Sequence, residues 1–130
     1  MKISSKTQYG LRAMIFLSKR KKKFTSLKEI SQKEKIPFNY LEKIMGRLEK
    51  RGLIKSKKGF RGGYCLAKNP KEIKIGRIIE ALEGKPKLVN CLFKFCPRSK
   101  KCSAKNFWTK LKKVIDSTLE SINLADLIKK

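Results

Sequence analysis

The stretch that decides the fold is Asn39–Ala67, "NYLEKIMGRLEKRGLIKSKKGFRGGYCLA". In its first half, apolar residues repeat at the i, i+3, i+4, i+7 spacing of one helix face. In its second half, two short apolar runs flank a loop rich in glycine and positive charge, which is typical of two strands joined by a turn. The stretch therefore predicts a helix that ends at Gly52, followed by strands at about Leu53–Ser56 and Gly63–Ala67.

Two more helices are predicted before this stretch. Apolar residues fall at helical spacing from Ser4 to Lys19, and the basic run "KRKKK" ends that pattern. A short helix follows, in which Ser26 and Glu29 have the spacing of a capping box, and it stops before Pro37. Three helices followed by a basic hairpin make a winged helix-turn-helix. In that arrangement the third helix enters the major groove of DNA and the wing reaches phosphates or the minor groove.

The third helix and the wing carry the residues that we expect to contact DNA. At about 100° per residue, the helix face opposite the apolar stripe is polar and basic. Asn39 can cap this helix, with Glu42 at capping-box distance, and Asn39, Tyr40 and Glu42 are placed to read base edges. The free amides at Ser26, where the second helix starts, offer an anion site. The residues expected to neutralise phosphates are Lys43, Arg47, Lys57, Lys58 and Arg61.

The remainder of the chain divides into a helix, a loop and a longer helix. "KEIKIGRIIEALEG" predicts an extended stretch and a helix closed by Gly84, so the DNA-binding domain covers 1–84 and a cysteine-bearing loop covers 85–103. Over 104–130, a broad apolar stripe predicts a dimerisation helix and a C-terminal segment, because helix-turn-helix proteins usually work as twofold dimers. Packing against the chain's own first helix is the alternative. The predicted fold class is mainly α with a small β-hairpin: a winged helix-turn-helix domain plus a long C-terminal dimerisation helix.

Composition limits the classes of function. The 130 residues include 35 Lys+Arg against 10 Asp+Glu, a net charge of +25, which favours a polyanionic partner. No segment approaches the roughly 18 apolar residues of a membrane span, so we expect a cytoplasmic protein with no membrane partner. The absence of histidine and of a phosphate-binding glycine motif argues against an enzyme. A basic architectural or RNA-binding protein remains the alternative to a regulator.

Three cysteines cluster in "NCLFKFCPRSKKC": Cys91, Cys96 and Cys102. Thiolates are soft ligands that suit iron–sulfur clusters and zinc. Four and then five intervening residues favour a polynuclear cluster, since structural zinc sites usually show pairs of cysteines two residues apart. A metal-free thiol switch, zinc and a plain structural loop stay open as alternatives. Cys65, in "GGYCLA", is expected to be a small buried residue of the wing.

The sequence resembles the Rrf2 family of bacterial transcription regulators, which includes the iron–sulfur cluster biogenesis regulator and the nitric oxide sensor. The matching stretches are "MKISSKTQYGLRAM", "NYLEKIMGRLEKRGLIKSKKGFRGGYCLAKNP", "IIEALEG", the three cysteines and "NLADL". The resemblance implies a winged-helix homodimer that binds a pseudo-palindromic DNA operator, with repression as the default. It also implies an iron–sulfur cluster, 2Fe-2S or 4Fe-4S, ligated by Cys91, Cys96 and Cys102 next to the dimer helix.

The resemblance also assigns roles to single residues and shows where this chain departs from the family. Glu42 matches the acidic residue with which relatives discriminate bases, and Lys58 matches a wing position that is often arginine. Lys105 stands where a relative has a histidine ligand, and Gln8 stands where another uses an acid from the partner's first helix. Gln8, Asn106, a solvent molecule or a small thiol are the remaining candidates for a fourth ligand. We expect this weak position to be where oxygen, nitric oxide or iron limitation acts.

Overall fold

The computed structural model describes residues 2–21, 23–85, 88 and 103–128. Cys91, Cys96 and Cys102, and most of the loop predicted over 85–103, lie outside this range. The described elements are helices α1 (Ser5–Ser18), α2 (Leu27–Glu34) and α3 (Phe38–Lys50), strands β1 (Ile54–Lys57) and β2 (Gly63–Leu66), helices α4 (Ile75–Glu83) and α5 (Ala104–Ser121), and short 3-10 turns at Pro70–Glu72 and Leu124–Leu127. The predicted fold class, mainly α with a small β-hairpin, is confirmed.

The starts of the first two helices follow from local capping. The Ser4 hydroxyl accepts from the Thr7 amide at 3.3 Å, and the Ser26 hydroxyl accepts from the Glu29 amide at 3.1 Å. Each bond satisfies one of the amides that a helix start leaves without a partner. The Glu29 carboxylate, which the capping-box spacing would direct toward Ser26, lies against the Arg20 guanidinium.

The predicted cap at the start of α3 is wrong. The helix begins at Phe38, so Asn39 lies inside its first turn, and the N-cap is Pro37, with no side-chain hydrogen bond. The proline ring holds φ at −54°, and the Pro37 carbonyl accepts from the Leu41 amide at 3.0 Å. The helix therefore starts before Asn39 can serve as its cap.

The end of α3 and the hairpin follow the predicted pattern. Gly52 has φ +75°; its amide donates to the Glu49 carbonyl at 2.9 Å and the Leu53 amide to the Leu48 carbonyl at 3.1 Å. These two bonds form a Schellman motif, which turns the chain directly into β1. The strands pair antiparallel, with Ile54 opposite Leu66.

One strand contact was not predicted: the segment before α2 extends the hairpin. Thr25 and Tyr64 exchange backbone hydrogen bonds of 2.9 and 2.8 Å. The approach is so close that a Cβ at Gly63, where φ is +140°, would overlap the Thr25 carbonyl. Glycine at this position therefore lets the wing pack onto the lead-in to α2.

The core lies between α1–α4 and the hairpin, and the C-terminal turn closes it. The chain returns after α5, where the Ile75 amide donates to the Ile122 carbonyl at 2.9 Å and the Leu124 amide to the Ile73 carbonyl at 2.8 Å. Leu124 is fully buried. The C-terminal segment thus packs with α1–α4 and the hairpin, and we call this unit the head. Helix α5, which precedes the segment, contributes no buried side chain. The largest fully buried side chains include Met14, Ile30, Leu41, Ile44, Met45, Leu48 and Ile78.

Candidate nucleic-acid interface

Helix α3 presents one buried and one exposed face. Its apolar residues, Leu41, Ile44, Met45 and Leu48, have 0% exposure. The opposite face is exposed and holds the helix residues that the sequence assigned to DNA: Asn39, Tyr40, Glu42, Lys43 and Arg47. The Tyr40 ring lies 6.3 Å from the Tyr9 ring of α1. The predicted division of the helix into a core face and a polar face is therefore present.

Arg47 has a structural contact that the sequence did not reveal. Its Nη1 donates to the Leu82 carbonyl, in the last turn of α4, at 3.2 Å. A concave, open pocket lies on this side of α3. It is lined by four basic residues, Lys43, Arg47 and Lys50 of α3 and Lys6 of α1, and by one acidic residue, Glu49. The pocket concentrates positive charge between α1 and α3, and Arg47 also joins α3 to α4. Lys6 was missed because it is 37 residues away in sequence from the nearest of these partners, Lys43.

The edge of α3 nearest the wing is acidic. The Ser56 hydroxyl of β1 donates to Glu49 Oε2 at 2.5 Å, which ties the wing stem to α3. The pKa of the Tyr64 phenol is raised above its ordinary value, first by burial and then by the charges of Glu49 and Glu42. Tyr64 therefore stays a protonated hydrogen-bond donor at neutral pH.

The wing brings its basic residues to one exposed tip. Lys57, Lys58 and Arg61 are all exposed, and Phe60 between them is 93% exposed. Lys57 Nζ lies 5.8 Å from the centre of the Phe24 ring, just before α2. Ser26, whose hydroxyl caps α2, is exposed a short way along the same segment. Lys57 thus lies beside the segment that leads into α2.

The end of α4, just before the cysteine-bearing loop, is fixed to the start of α1. Glu83 Oε1 accepts from the Ser4 amide at 2.8 Å, from the Thr7 hydroxyl at 2.6 Å and from the Ser4 hydroxyl. The side-chain hydrogen bonds from Ser4 and Thr7, then the Ser4 backbone bond and the charge of Lys6, lower the pKa of Glu83. We call Glu83, Ser4 and Thr7 the Glu83 cluster.

The candidate ligands divide between described and undescribed residues. Gln8 is exposed on α1, where its Nε2 donates to the Ile3 carbonyl at 3.1 Å, and Asn106 is exposed in the first turn of α5. Cys65 is buried on β2, as predicted. Among the described residues, no three His, Cys, Asp or Glu side chains are grouped to hold a metal. The predicted ligand set of Cys91, Cys96 and Cys102 thus stays a prediction from sequence.

Helix α5 keeps its apolar residues at the surface. Phe107 and Val114 are 58% and 56% exposed, and Trp108, Leu111, Ile115 and Leu119 are half-buried. It packs on α4 near Gly76, where an added Cβ would lie 3.0 Å from Leu119 Cβ.

In the part of the chain that the structure describes, no helix is both long and apolar enough to cross a membrane.

Comparison with known proteins identifies the family. The sequence profile of Rrf2, described as an iron-dependent transcriptional regulator, matches residues 3–130. The chain belongs to the Rrf2 family. The transcriptional regulator CymR of Bacillus subtilis is 37% identical over 128 residues, 98% of this chain and 89% of CymR. The regulator IscR of Serratia proteamaculans is 32% identical over 130 residues, 98% of this chain and 79% of IscR.

Solved structures of Rrf2 regulators have the same fold. IscR of T. potens has a TM-score of 0.79 at 40% identity, covering 98% of this chain and 86% of its own. CymR of B. subtilis, described as its global cysteine regulator, has a TM-score of 0.81 at 36% identity, covering 98% and 95%. These Rrf2 relatives are named as transcription regulators, not enzymes, which confirms that expectation. The chain is a DNA-binding regulator of transcription.

Proposed function

We propose that this Rrf2 regulator is a homodimeric repressor, acting in the cytoplasm on a pseudo-palindromic operator, that senses redox, nitric oxide or iron–sulfur status through Cys91, Cys96 and Cys102. The observation that carries the DNA-binding part is the exposed polar face of α3 beside a basic wing, in a chain of net charge +25. Such a surface suits a helix placed in the major groove with a wing on the flanking backbone.

Base reading and phosphate contact are divided among the exposed residues. Asn39, Tyr40 and Glu42 read base edges, and the Glu42 carboxylate accepts from the cytosine amino group, which makes it a determinant of specificity. The amides near Ser26 hold a phosphate at the start of α2. The side chains that neutralise phosphates are Lys43, Arg47, Lys57, Lys58 and Arg61. Lys58 contacts a phosphate without the two-pronged geometry of arginine, so the wing reads bases weakly at that position.

A second copy of the chain covers α5. Apart from Leu119, which packs on α4, its half-buried apolar residues and the exposed Phe107 and Val114 offer an apolar surface for a second copy. A helix with such a face is stable when another helix packs on it. The twofold dimer then sets the distance between the two α3 helices, as an inverted-repeat operator requires.

The cysteines suit an iron–sulfur cluster by the chemistry of the donor set. Three thiolates supply three soft ligands to a 2Fe-2S or 4Fe-4S cluster, and Gln8, Asn106 or a small exogenous ligand completes the shell. When bound, the cluster supplies a group that oxygen, nitric oxide or iron limitation alters. The lysines around the loop stabilise the thiolates that hold it.

The end of α4 links the cysteine-bearing loop to the DNA-binding surface. Leu82 accepts from Arg47 of α3, and Glu83 accepts from Ser4 and Thr7 of α1, while the loop begins just after Gly84. A change in the loop therefore acts on a segment that contacts both helices. We expect it to shift the population of DNA-competent dimers.

A metal-free thiol switch is the second candidate. It is favoured by the similarity to CymR, which is described as the global cysteine regulator of B. subtilis and whose Staphylococcus aureus form has been solved oxidised. In that case a peroxide takes two electrons from one of the same three thiolates and is reduced to an alcohol or water. The cysteine becomes a sulfenic acid, which can condense with a second cysteine to a disulfide and release water, and the link through the end of α4 is unchanged.

Two measurements test the proposal. Anaerobically purified and reconstituted protein should contain iron and sulfide, and Cys96→Ala should lose most of both; a colourless, iron-free protein would favour the thiol switch. Footprinting on the DNA upstream of its own gene at physiological salt should show a protected inverted repeat. Uniform coating of that DNA would instead support the architectural or RNA-binding alternative.

A further inference from the structure

We propose that Phe60, at the tip of the wing, is an apolar wedge that enters the minor groove beside each half-site of the operator. This inference rests on the proposed binding of double-stranded DNA. Phe60 is 93% exposed, far more than Phe38 at 47% or Phe107 at 58%. A large ring left almost wholly in water is unfavourable, so an exposed aromatic at a tip suggests that a partner covers it.

The turn geometry fixes the ring at the apex. Gly59 and Arg61, on either side of Phe60, both have positive φ, +97° and +67°, and the Gly62 amide donates to the Gly59 carbonyl at 2.9 Å. A Cβ at Gly62 would overlap the Lys57 carbonyl, so the chain closes tightly there. This turn is a defined structure that holds residue 60 outward, which reduces the entropy lost when the ring binds.

The strands below the tip, β1 and β2, are attached to α3 and to the segment before α2. Ser56 bonds to Glu49 of α3, and Tyr64 pairs with Thr25 before α2. When α3 lies in the major groove, the wing tip of a winged helix reaches the adjacent minor groove. The attachment therefore carries Phe60 to the groove in a fixed relation to the bases that α3 reads.

The charge around the ring selects the partner. From Leu53 to Lys71 the chain has no acidic residue, and Lys57, Lys58 and Arg61 flank Phe60 in the sequence. Basic side chains that contact phosphates, with an apolar wedge between them, are the pattern by which minor-groove proteins unstack a base step. Flexible pyrimidine–purine steps unstack most readily, so we expect such a step under the wing.

The test uses full-length protein and the operator found by footprinting. Phe60→Ala should weaken operator binding by about tenfold without changing the dependence on salt, whereas Phe60→Leu should retain most affinity because it keeps an apolar side chain. Lys58→Ala is the matched control, since loss of a phosphate contact should lower the salt slope by about 1. Fluorescence anisotropy over a range of salt concentrations measures both quantities.

A fluorescent adenine analogue at the base step under the wing reports the wedge directly. Its emission should rise when wild-type protein or Phe60→Leu binds, and should not rise with Phe60→Ala. Equal operator affinity for wild type and Phe60→Ala, or an equal rise in emission for both, would overturn the wedge while leaving the regulator intact. If wild-type protein protects no operator at all, the proposed DNA function fails instead, and the wedge with it.

Discussion

Helices α3 and α5 are both amphipathic, but they differ in how far their apolar residues are buried within the chain. The apolar stripe of α3, which consists of Leu41, Ile44, Met45 and Leu48, has 0% exposure, whereas none of the 18 residues of α5 is buried. The difference is one of position: α3 is enclosed by α1, α2, α4 and the hairpin, whereas α5 packs mainly on α4 among the residues that the structure describes. The head is thus stabilised by contacts within the chain, whereas α5 leaves apolar side chains exposed that a second copy would cover in the proposed dimer.

The largest effect is expected from a substitution in the buried face of α3. Leu48→Ala, in the fully buried face of α3, should destabilise the protein by about 3 kcal/mol, because the cavity cannot be filled by neighbours. Urea denaturation at fixed protein concentration measures the change. Lys50→Ala, at an exposed position of the same helix, is the matched control and should cost less than about 0.5 kcal/mol.

A charge on the α5 stripe should separate the dimer and leave the head folded. Ile115→Asp is expected to raise the dimer dissociation constant at least about 100-fold, since it places a carboxylate in an apolar interface. Analytical ultracentrifugation should then detect the 15.0 kDa chain alone, with a helical circular dichroism spectrum retained.

Lys113→Asp is the matched variant for that experiment. It changes charge on the same helix at an exposed position away from the stripe, and it should remain dimeric. A dimer unaffected by Ile115→Asp would show that α5 does not provide the interface.

Within the head, Arg47 should matter in two ways. Arg47→Ala is expected to weaken binding to every DNA sequence by about tenfold and to lower the salt slope by about 1. Lys43→Ala also loses one charge but keeps the bond from Arg47 to Leu82, so any additional loss in Arg47→Ala reports that bond.

Glu42→Ala should instead relax the preference for the operator over a scrambled duplex. If gel shifts showed Arg47→Ala and Glu42→Ala both losing only nonspecific affinity, the assigned face would be wrong.

The smallest expected effect is at the Glu83 cluster. Glu83→Gln should lower stability by about 1 kcal/mol at pH 7, a modest value because the carboxylate is largely exposed to solvent. The folded-state pKa of Glu83 is lowered, so its contribution is present above the unfolded pKa of roughly 4.3 and is lost as pH falls through the folded value. Thermal unfolding of both proteins from pH 7 to pH 3 should show the difference shrinking below about pH 4; a constant difference would contradict the linkage.

Local pattern was enough to predict the helices and the wing. The apolar spacing in α3 and the glycines after it specify a helix, a stop and a hairpin without reference to the rest of the chain. The start of α3 was misplaced because the rigid Pro37 carbonyl, which accepts the first helical bond, precedes the residue that had the better capping side chain.

Contacts between distant residues could not be predicted in this way. The bond from Arg47 to Leu82 spans 35 positions and those of Glu83 to Ser4 and Thr7 span 79 and 76, and neither pair has a local signal. The apolar stripe of α5 predicted a dimerisation helix, and the dimer stays a proposal. The roles of Cys91, Cys96 and Cys102 depend on their spacing and on the resemblance, and they stay predictions.

The attachment of α5 at one end has a mechanical consequence. Near Leu119 the helix is held against Gly76, and the chain beyond it pairs with the start of α4, while its first residue, Ala104, lies two positions after Cys102. At 1.5 Å per residue these two ends are about 22 Å apart. A pivot of about 5° at Leu119 therefore displaces Ala104 by about 2 Å over that arm. A small adjustment in angle at the head is thus equivalent to a displacement of about one bond length or more at Ala104, two positions along the chain from Cys102.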